Sequence, residues 1–503
     1  MNPGTLLIRA DASPAMGSGH VMRCLALAQG WRKAGGDVVF AMALSTPSVN
    51  QRLAQENCRI AKISASPGSP EDLQATEIFL RSESPSWVVL DGYDFASAYR
   101  NGIREGGARC MVVDDNGGPQ DFSTDLVVNQ NVHAGAALYP KRGEHTRLLL
   151  GPRYAMLREE FAGRDESVRD IPDLGRKILV TMGGSDPNEF APALLPHLIE
   201  RFGQEVEIVV VVGGSASGSN GAKIHEQSLP ANVRVLHDVR NMAELMKWAD
   251  LAIAAAGTTC WELCCLGLPS ILVEAADNQR LLARTLDTMG VAVNAGPVEA
   301  VDCGALAERA QKILRDPIWR SEISTKARRL VDGHGVDRVV ATMSSPLRIR
   351  QVEARDCRLL FQWANDPLVR AVSFTPESIP WETHQCWFER QLGNPAARIY
   401  VFENESGQPV AQVRYEIEGP RATLSINVDP KLRGHGLGAK VLLLGVEELF
   451  NTTPVDTIDA FVKPSNERSL VLFRKAGFEE KGLREVRQQD AAWFRLQRWG
   501  TGD

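Results

Sequence analysis

Leu6-Leu7-Ile8-Arg9-Ala10-Asp11-Ala12-Ser13-Pro14-Ala15-Met16-Gly17-Ser18-Gly19-His20-Val21-Met22-Arg23 decides the fold class of this chain. Leu6 to Ala10 is a short apolar run closed by a turn, the pattern of a buried strand. From His20 to Lys33 the residues Val21, Leu25, Ala28 and Arg32 recur at helical spacing. The unit reads strand, glycine loop, helix. Gly17 and Gly19 lack the side chains that would hold an anion away from the backbone amides, and the helix N-terminus aims unpaired N–H groups at the same place. The first helical turn also disfavours an imidazolium, so His20 is expected to stay neutral near pH 7 and to suit proton abstraction from water. The competing reading makes His20 a helix cap or a phosphate contact, and the glycine-histidine pair alone does not choose between them.

With 503 residues the chain is too long for one core, and its length suggests about three domains. A composition of 44% apolar and 23% charged residues is that of a folded globular protein and excludes a disordered or fibrous one. The net charge of −6, with no lysine and arginine run, argues against nucleic acid or an anionic membrane as partner. Recognition of anions must therefore be local. Apolar stretches such as Val206 to Val212 are too short to span a bilayer. The N-terminus enters a strand with no basic start, apolar core or cleavage site, so no export is expected. Nine cysteines without a Cys-x-x-Cys pair argue for reduced thiols in the cytoplasm and against structural zinc, and no metal is expected. Cys260, Cys264 and Cys265 are expected to pack as small apolar residues.

Up to about residue 130, strand-like runs (Asp37 to Met42, Trp87 to Leu90, Cys110 to Val113, Leu126 to Val128) alternate with helical segments, the rhythm of a parallel α/β sheet. Polar residues follow the strand ends: Asp91 with Tyr93 and Asp94, then Asp114 with Asp115, then Asn129, Gln130 and Asn131. Ligands bind at such carboxyl ends, although any one aspartate there reads equally as a helix cap. A second α/β series starts at Lys177-Ile178-Leu179-Val180-Thr181-Met182 and runs through Val206 to Val212, Val233 to Leu236, Leu251 to Ala255, Ser270 to Val273 and Val291 to Asn294. The polar stretch Gly163 to Arg176 is the hinge between the halves, and two facing α/β halves enclose a cleft. The second half again places glycines after strands, at Gly183-Gly184-Ser185-Asp186-Pro187-Asn188 and at Gly257-Thr258-Thr259, which opens a helix carrying Glu262. These are further candidate anion seats, with Glu262 able to accept from ribose hydroxyls. Gly-Lys-Ser/Thr is absent, which removes a P-loop. A break at Ser344-Ser345-Pro346 ends the series, and Trp363, Trp381, Trp387, Trp493 and Trp499 mark a different last third. The expected domains are 1–162, 163–345 and 346–503.

The first two thirds resemble the UDP-sugar hydrolase of pseudaminic acid biosynthesis, over about residues 5 to 340. The resemblance rests on Ile8-Arg9-Ala10-Asp11 through Gly17-x-Gly19-His20-x-x-Arg23, on Asn129-Gln130-Asn131, on Leu150-Gly151-Pro152 with Tyr154-Ala155-x-Leu157-Arg158, and on Met182-Gly183-Gly184-Ser185-Asp186. It implies two Rossmann-like domains in a glycosyltransferase B arrangement. It also implies metal-independent, inverting removal of UDP from UDP-2,4-diacetamido-2,4,6-trideoxy-β-L-altropyranose by water. His20 matches the catalytic histidine and Tyr93 a tyrosine lining the sugar site. Asn188, Gly257, Thr258, Glu262 and Asn278 fall where the nucleotide is held, and Gly17, Gly19, Arg23, Gly183 and Gly184 belong to the same substrate-binding set.

The last third resembles the GCN5-related N-acetyltransferase (GNAT) fold, over about residues 347 to 498. Its strand Leu424-Ser425-Ile426-Asn427-Val428 leads into Arg433-Gly434-His435-Gly436-Leu437-Gly438 and a helix over Ala439 to Phe450. The Arg-x-x-Gly-x-Gly spacing matches the acetyl-CoA pyrophosphate loop. The resemblance implies acetyl-CoA as co-substrate, held by Val428, Arg433, Gly434, Gly436, Gly438 and Asn466. It departs at Phe473, where many members carry the tyrosine that protonates the leaving thiolate, so the acid stays unassigned. Glu416 is a candidate base through water or a solvated strand residue. Together the resemblances imply an α/β–α/β–α+β chain that N-acetylates a UDP-4-amino-sugar and hydrolyses the acetylated product. The alternatives are a glycosyltransferase of the same fold using a UDP-sugar donor, a region that only binds nucleotide, and an acetyltransferase acting on a protein or other amine.

Overall fold

A computed structural model of the chain describes residues 3–14, 16–143, 146–162, 169–184, 186, 189–214, 228–345, 347–404, 406–434 and 436–498. The chain divides into two compact units, Met1–Met343 and Ser344–Asp503.

The first unit holds two parallel sheets. One contains β1 (Thr5–Ala10), β2 (Asp37–Met42), β3 (Arg59–Lys62), β4 (Trp87–Asp91), β5 (Arg109–Val113), β6 (Leu126–Asn129) and β7 (Arg147–Leu150), in the order β3-β2-β1-β4-β5-β6-β7. Leu6, Leu7 and Ile8 of β1 are fully buried, because β1 lies mid-sheet with both faces covered. Strands β3 and β7 escape the sequence reading. β3 is an edge strand whose residues are mostly exposed, so it carries no apolar run. The other sheet contains β8 (Lys177–Thr181), β9 (Glu207–Val212), β10 (Val233–His237), β11 (Leu251–Ala255), β12 (Ser270–Glu274) and β13 (Val293–Pro297), in the order β10-β9-β8-β11-β12-β13.

In both sheets the strand order reverses once, between β1 and β4 and between β8 and β11. Adjacent connections there leave in opposite directions and open a crevice at the carboxyl ends. Arg9, wholly buried in β1, shows how a charge is tolerated inside such a sheet. Its guanidinium donates to Asp72 at 2.7 and 3.0 Å and to Asp11 at 2.7 Å, tying β1 to the helix Pro70–Glu83.

The sequence assigns residues 163–345 to the second half, but the helix Gly335–Met343 returns to the first. Val339, Val340 and Met343 lie in one core with Leu6, Ile8 and Leu25, and Trp87 Nε1 donates to the Met343 carbonyl at 3.0 Å. The apolar face of this helix fits a groove on the helix Gly19–Lys33. An added Cβ at Gly30 would stand 2.2 Å from Val336 Cγ1, so the close approach needs glycine.

The second unit is one mixed sheet of β14 (Arg348–Gln351), β15 (Ala397–Glu403), β16 (Pro409–Glu418), β17 (Arg421–Val428), β18 (Thr457–Val462), β19 (Glu479–Val486) and β20 (Gln489–Gln497), ordered β14-β15-β16-β17-β18-β20-β19. All neighbours are antiparallel except β17 and β18, which pair in parallel only from Arg421–Thr457 to Thr423–Asp459. Beyond that point the two strands part. Helix Leu437–Thr452 buries Val441, Leu442, Val446 and Leu449 against one face of the sheet.

Candidate functional site

The loops after β1, β4, β8 and β11 converge at the paired switch points. Gly17 and Gly183 sit at φ +78° and +82°, in the left-handed region that glycine occupies without steric cost. Gly184 faces the first loop so closely that a Cβ there would lie 2.3 Å from Ser18 Oγ and 3.0 Å from Ser18 N. A Cβ on Gly19 would lie 3.5 Å from Thr258 Oγ1. Two helices start at this meeting point, Gly19–Lys33 after Ser18 and Thr259–Leu266 after Thr258, and neither has a side-chain cap. In the first helix the amides ahead of Met22, which donates to the Ser18 carbonyl, have no helical acceptor, whereas in the second Cys260 and Trp261 already donate to the Gly257 and Thr258 carbonyls and the Thr259 amide is left. Gly184→Ala is therefore expected to force the two loops apart and, if they seat an anion, to weaken pyrophosphate binding at least about tenfold by calorimetry, with less effect on thermal stability.

Beside these loops stands a buried charge network. His20 Nδ1 lies 2.6 Å from Asp91 Oδ1, while Arg23 donates to both Asp91 oxygens at 2.7 Å and to Asp115 at 2.8 and 3.0 Å. Arg23 Nη2 also lies 3.1 Å from His20 Nδ1. That nitrogen cannot both donate and accept, and the shorter contact to a carboxylate makes it the donor to Asp91. Nε2 is thus the ring nitrogen that carries the lone pair. Burial would raise the Asp91 carboxyl, but the charge of Arg23 and the hydrogen bonds from Arg23 and His20 hold it well below the usual carboxylate range. Asp115 is likewise lowered, against burial, by Arg23. Burial opposes the Arg23 charge, and Asp115 and Asp91 more than restore it.

Tyr93 stands edge-on to His20, with ring centroids 5.3 Å apart. Its hydroxyl donates to Asp115 at 3.3 Å and accepts from Asn278 Nδ2 at 3.3 Å, so Asn278 of the second half reaches the histidine's neighbour in the first. Tyr93 is half exposed, yet desolvation beside the cleft wall, then Asp115, pushes its hydroxyl up to about 12, and it remains a proton donor throughout the neutral range. Glu262 is bound by Arg158 Nη2 at 3.0 Å. Burial raises its carboxyl and Arg158 opposes the rise. Gly257 lies on the same loop as Thr258, and Asn188 lies outside the described residues.

The structure thus joins His20, Arg23, Tyr93, Asn278 and the three glycine loops. It adds Asp91, Asp115 and Asn131, which donates to Asp115 at 3.2 Å, together with Arg158. The sequence locates the first three of these past strand ends but does not pair them with Arg23. Among the described residues no group of three His, Cys, Asp or Glu is placed to hold a metal ion. No helix there is long and apolar enough to cross a membrane.

In the second unit, β17 ends at Val428 and the loop that follows places Gly434 and Gly436 at φ +86° and +76°. Gly436 precedes the helix Leu437–Thr452, which has no side-chain cap, so its amides are open to phosphate. Gly438 packs toward Leu472. Arg433 turns inward, donating to the Val428 carbonyl at 3.0 Å and to Asp366 at 2.6 Å, and so holds the loop to the end of β17. Asn466 caps its own helix through Ser469 N at 3.3 Å. Phe473 is buried between Phe478 and Phe494, with centroids at 5.1 and 5.6 Å, where it fills core. Glu416 is exposed and lies 3.6 Å from Arg414.

Two family models match the chain. One is the glycosyltransferase family 28 C-terminal domain, over residues 178–302, and the other is the acetyltransferase (GNAT) domain, over residues 346–479. The spore coat polysaccharide biosynthesis protein SpsG of Bacillus subtilis (strain 168) is 27% identical over 344 residues, covering 67% of this chain and 96% of its own. The UDP-2,4-diacetamido-2,4,6-trideoxy-β-L-altropyranose hydrolase of Campylobacter jejuni is 24% identical over 259 residues, 50% of this chain and 85% of its own. YwnH of Bacillus subtilis, named for phosphinothricin acetylation, is 30% identical over 148 residues, 27% of this chain and 86% of its own.

Proposed function

Because its C-terminal unit makes this chain a member of the acetyltransferase (GNAT) domain family, we propose a two-activity enzyme of sugar-nucleotide metabolism. In this reading residues 346–503 transfer acetyl from acetyl-CoA to the amine of a UDP-4-amino-sugar. Residues 1–162 and 163–345 then enclose the acetylated product, UDP-2,4-diacetamido-2,4,6-trideoxy-β-L-altropyranose, and hydrolyse it to the free sugar and UDP. The observation that carries the reading is the placement of His20 beside two uncapped helix N-termini that meet across the cleft. A diphosphate seated on those amides sets its sugar carbon toward the histidine.

Water attacks the anomeric carbon as His20 Nε2 takes its proton, and the C–O bond to UDP breaks with its electron pair going to the β-phosphate oxygen. Attack opposite the leaving group inverts the carbon. Asp91 keeps the imidazole in the needed tautomer and balances the imidazolium that forms. The helix N-termini meet the charge developing on the diphosphate. Glu262, oriented by Arg158, is placed to accept from ribose, and Tyr93 and Asn278 line the sugar. In the second unit the open amides after Gly436 seat the acetyl-CoA pyrophosphate, and the thioester lies where β17 and β18 part. Phe473 has no proton to give, so the thiolate is protonated by another group or by water.

The test uses the full chain with the unacetylated UDP-amino-sugar and acetyl-CoA, followed by mass spectrometry. The expected result is one acetyl gain on the sugar nucleotide and then release of UDP without any added alcohol. The glycosyltransferase family 28 match gives the rival outcome. Turnover only when an acceptor alcohol is supplied would replace the hydrolase reading with glycosyl transfer.

A further inference from the structure

The sheet of the acetyltransferase unit has two unlike faces. Ile458, Ala460 and Val462 of β18, with Ala492 and Phe494 of β20, point into the core under the helix Leu437–Thr452. Strand alternation turns Phe461, Lys463 and Trp493 to the other face. Helices Cys357–Ala364 and Trp381–Leu392 cover that face only over its first strands, where Leu360, Trp363, Phe388 and Ile399 form a small core.

Positive charge collects on this face. Arg414 of β16 stacks on Trp387, 5.1 Å from the ring centroid, and makes no hydrogen bond to any described residue; its ion-pair partner there is Glu416, at 3.6 Å. Its guanidinium is one-third exposed, and its donors are open to a ligand from solvent. The next charge that Arg414 feels is another cation, Arg487, whose repulsion adds to burial in lowering the Arg414 pKa. Arg487 reaches Thr375 from the β19–β20 turn, Lys463 lies 5.9 Å from the Phe374 centroid, and Gln489 donates to the Phe374 carbonyl at 2.8 Å. These contacts place Arg487 and Lys463 around one loop. Arg484 lies over the rings of Phe461 and Trp493, at 5.8 and 5.6 Å. No described carboxylate pairs with Lys463, Arg484 or Arg487. Asp459, the acid beside them, is taken by Arg495 at 2.8 and 2.9 Å and by Trp493 at 2.8 Å.

Gathering like charges is unfavourable unless an anion joins them. We propose that Arg414, Lys463, Arg484 and Arg487 form a seat for the phosphates of the acetyl acceptor, which is an amine joined to a nucleoside diphosphate. This rests on the acetyltransferase reading above and names the residues that select its acceptor. Cations on β16 and β19, just past β18 and in the β19–β20 turn match a ligand carrying more than one negative charge, and the rings of Phe374, Phe461 and Trp493 offer faces for a base to stack on. A polyamine is repelled by the same face.

The full chain is assayed by CoA release with three acceptors: a UDP-linked 4-amino-sugar, the same amino sugar without the nucleotide, and spermidine. The expected preference for the UDP-linked amine in kcat/KM is at least about a hundredfold, with spermidine inert. The double variant Lys463→Ala, Arg487→Ala is expected to raise KM for the UDP-linked amine at least about tenfold and to leave KM for acetyl-CoA within about twofold. Arg487→Lys, which keeps the charge, restores most of the loss when set against Arg487→Ala. Equal use of the nucleotide-free sugar, efficient use of spermidine, or a double variant with unchanged KM overturns the proposal while acetyl transfer stands. Absence of CoA release with every amine overturns the reading beneath it.

Discussion

His20→Ala is expected to lower the rate of UDP release by about a thousandfold, within the range that a positioned general base contributes, while UDP binds with an affinity changed by less than about threefold. The separation follows from the geometry. The expected anion seat consists of backbone amides at Ser18 and Gly19 and at Thr258 and Thr259, none of which depends on the imidazole. The proton-accepting nitrogen is Nε2, because Asp91 holds Nδ1 at 2.6 Å. Removing the ring deletes the base and leaves Arg23 still paired to Asp91 and Asp115. The check is UDP release under saturating substrate beside UDP titration of the same protein. Unchanged turnover would reduce His20 to a structural residue, and loss of UDP binding would make it a phosphate contact.

Asp91→Ala is expected to damage both stability and turnover, and to do so more than any single change at the rim of the cleft. Asp91 is almost wholly buried and receives His20, both Arg23 contacts and the Cys24 thiol at 3.4 Å. Its loss leaves a buried guanidinium with Asp115 as its remaining carboxylate, and breaking a buried pair in this way costs about 3–5 kcal/mol. Chemical denaturation measures the loss. Asp91→Asn keeps the shape but removes the charge, and it tests a pH effect of defined sign. The folded carboxyl binds a proton less readily than the unfolded one, whose ordinary value is 3.8. Its stabilising contribution is therefore complete well above that value and falls away as pH drops through it toward the depressed folded value. Wild type should lose stability over that acid range more steeply than Asp91→Asn. Parallel curves for the two would show that Asp91 carries no such linkage.

Much of the framework is legible in local pattern. The apolar runs at Leu6 to Ala10, Lys177 to Met182 and Leu251 to Ala255 are strands in the structure because a strand buried on both faces must be apolar along its length. The helix expected over Ala439 to Phe450 extends to Leu437–Thr452. The glycines of the seats are also readable, since a left-handed backbone or a close approach such as Gly184 to Ser18 leaves a trace in residue type. Exposed β3 leaves none. Nor does the return of Gly335–Met343 to the first core, because an apolar helical face does not name the surface it will cover.

The sequence by itself determined the α/β–α/β–α+β class, the glycine loops after strands, and His20 at the start of a helix, because backbone preference and apolar period act over a few neighbouring residues. Only the tertiary structure decided which charges meet. Asp91 and Asp115 lie 68 and 92 residues from Arg23, and Arg414, Lys463 and Arg487 come from a strand, the residue after another strand and a turn. Electrostatic coupling depends on distance through space and on exclusion of water, and both arise when the strands pair and the loops pack.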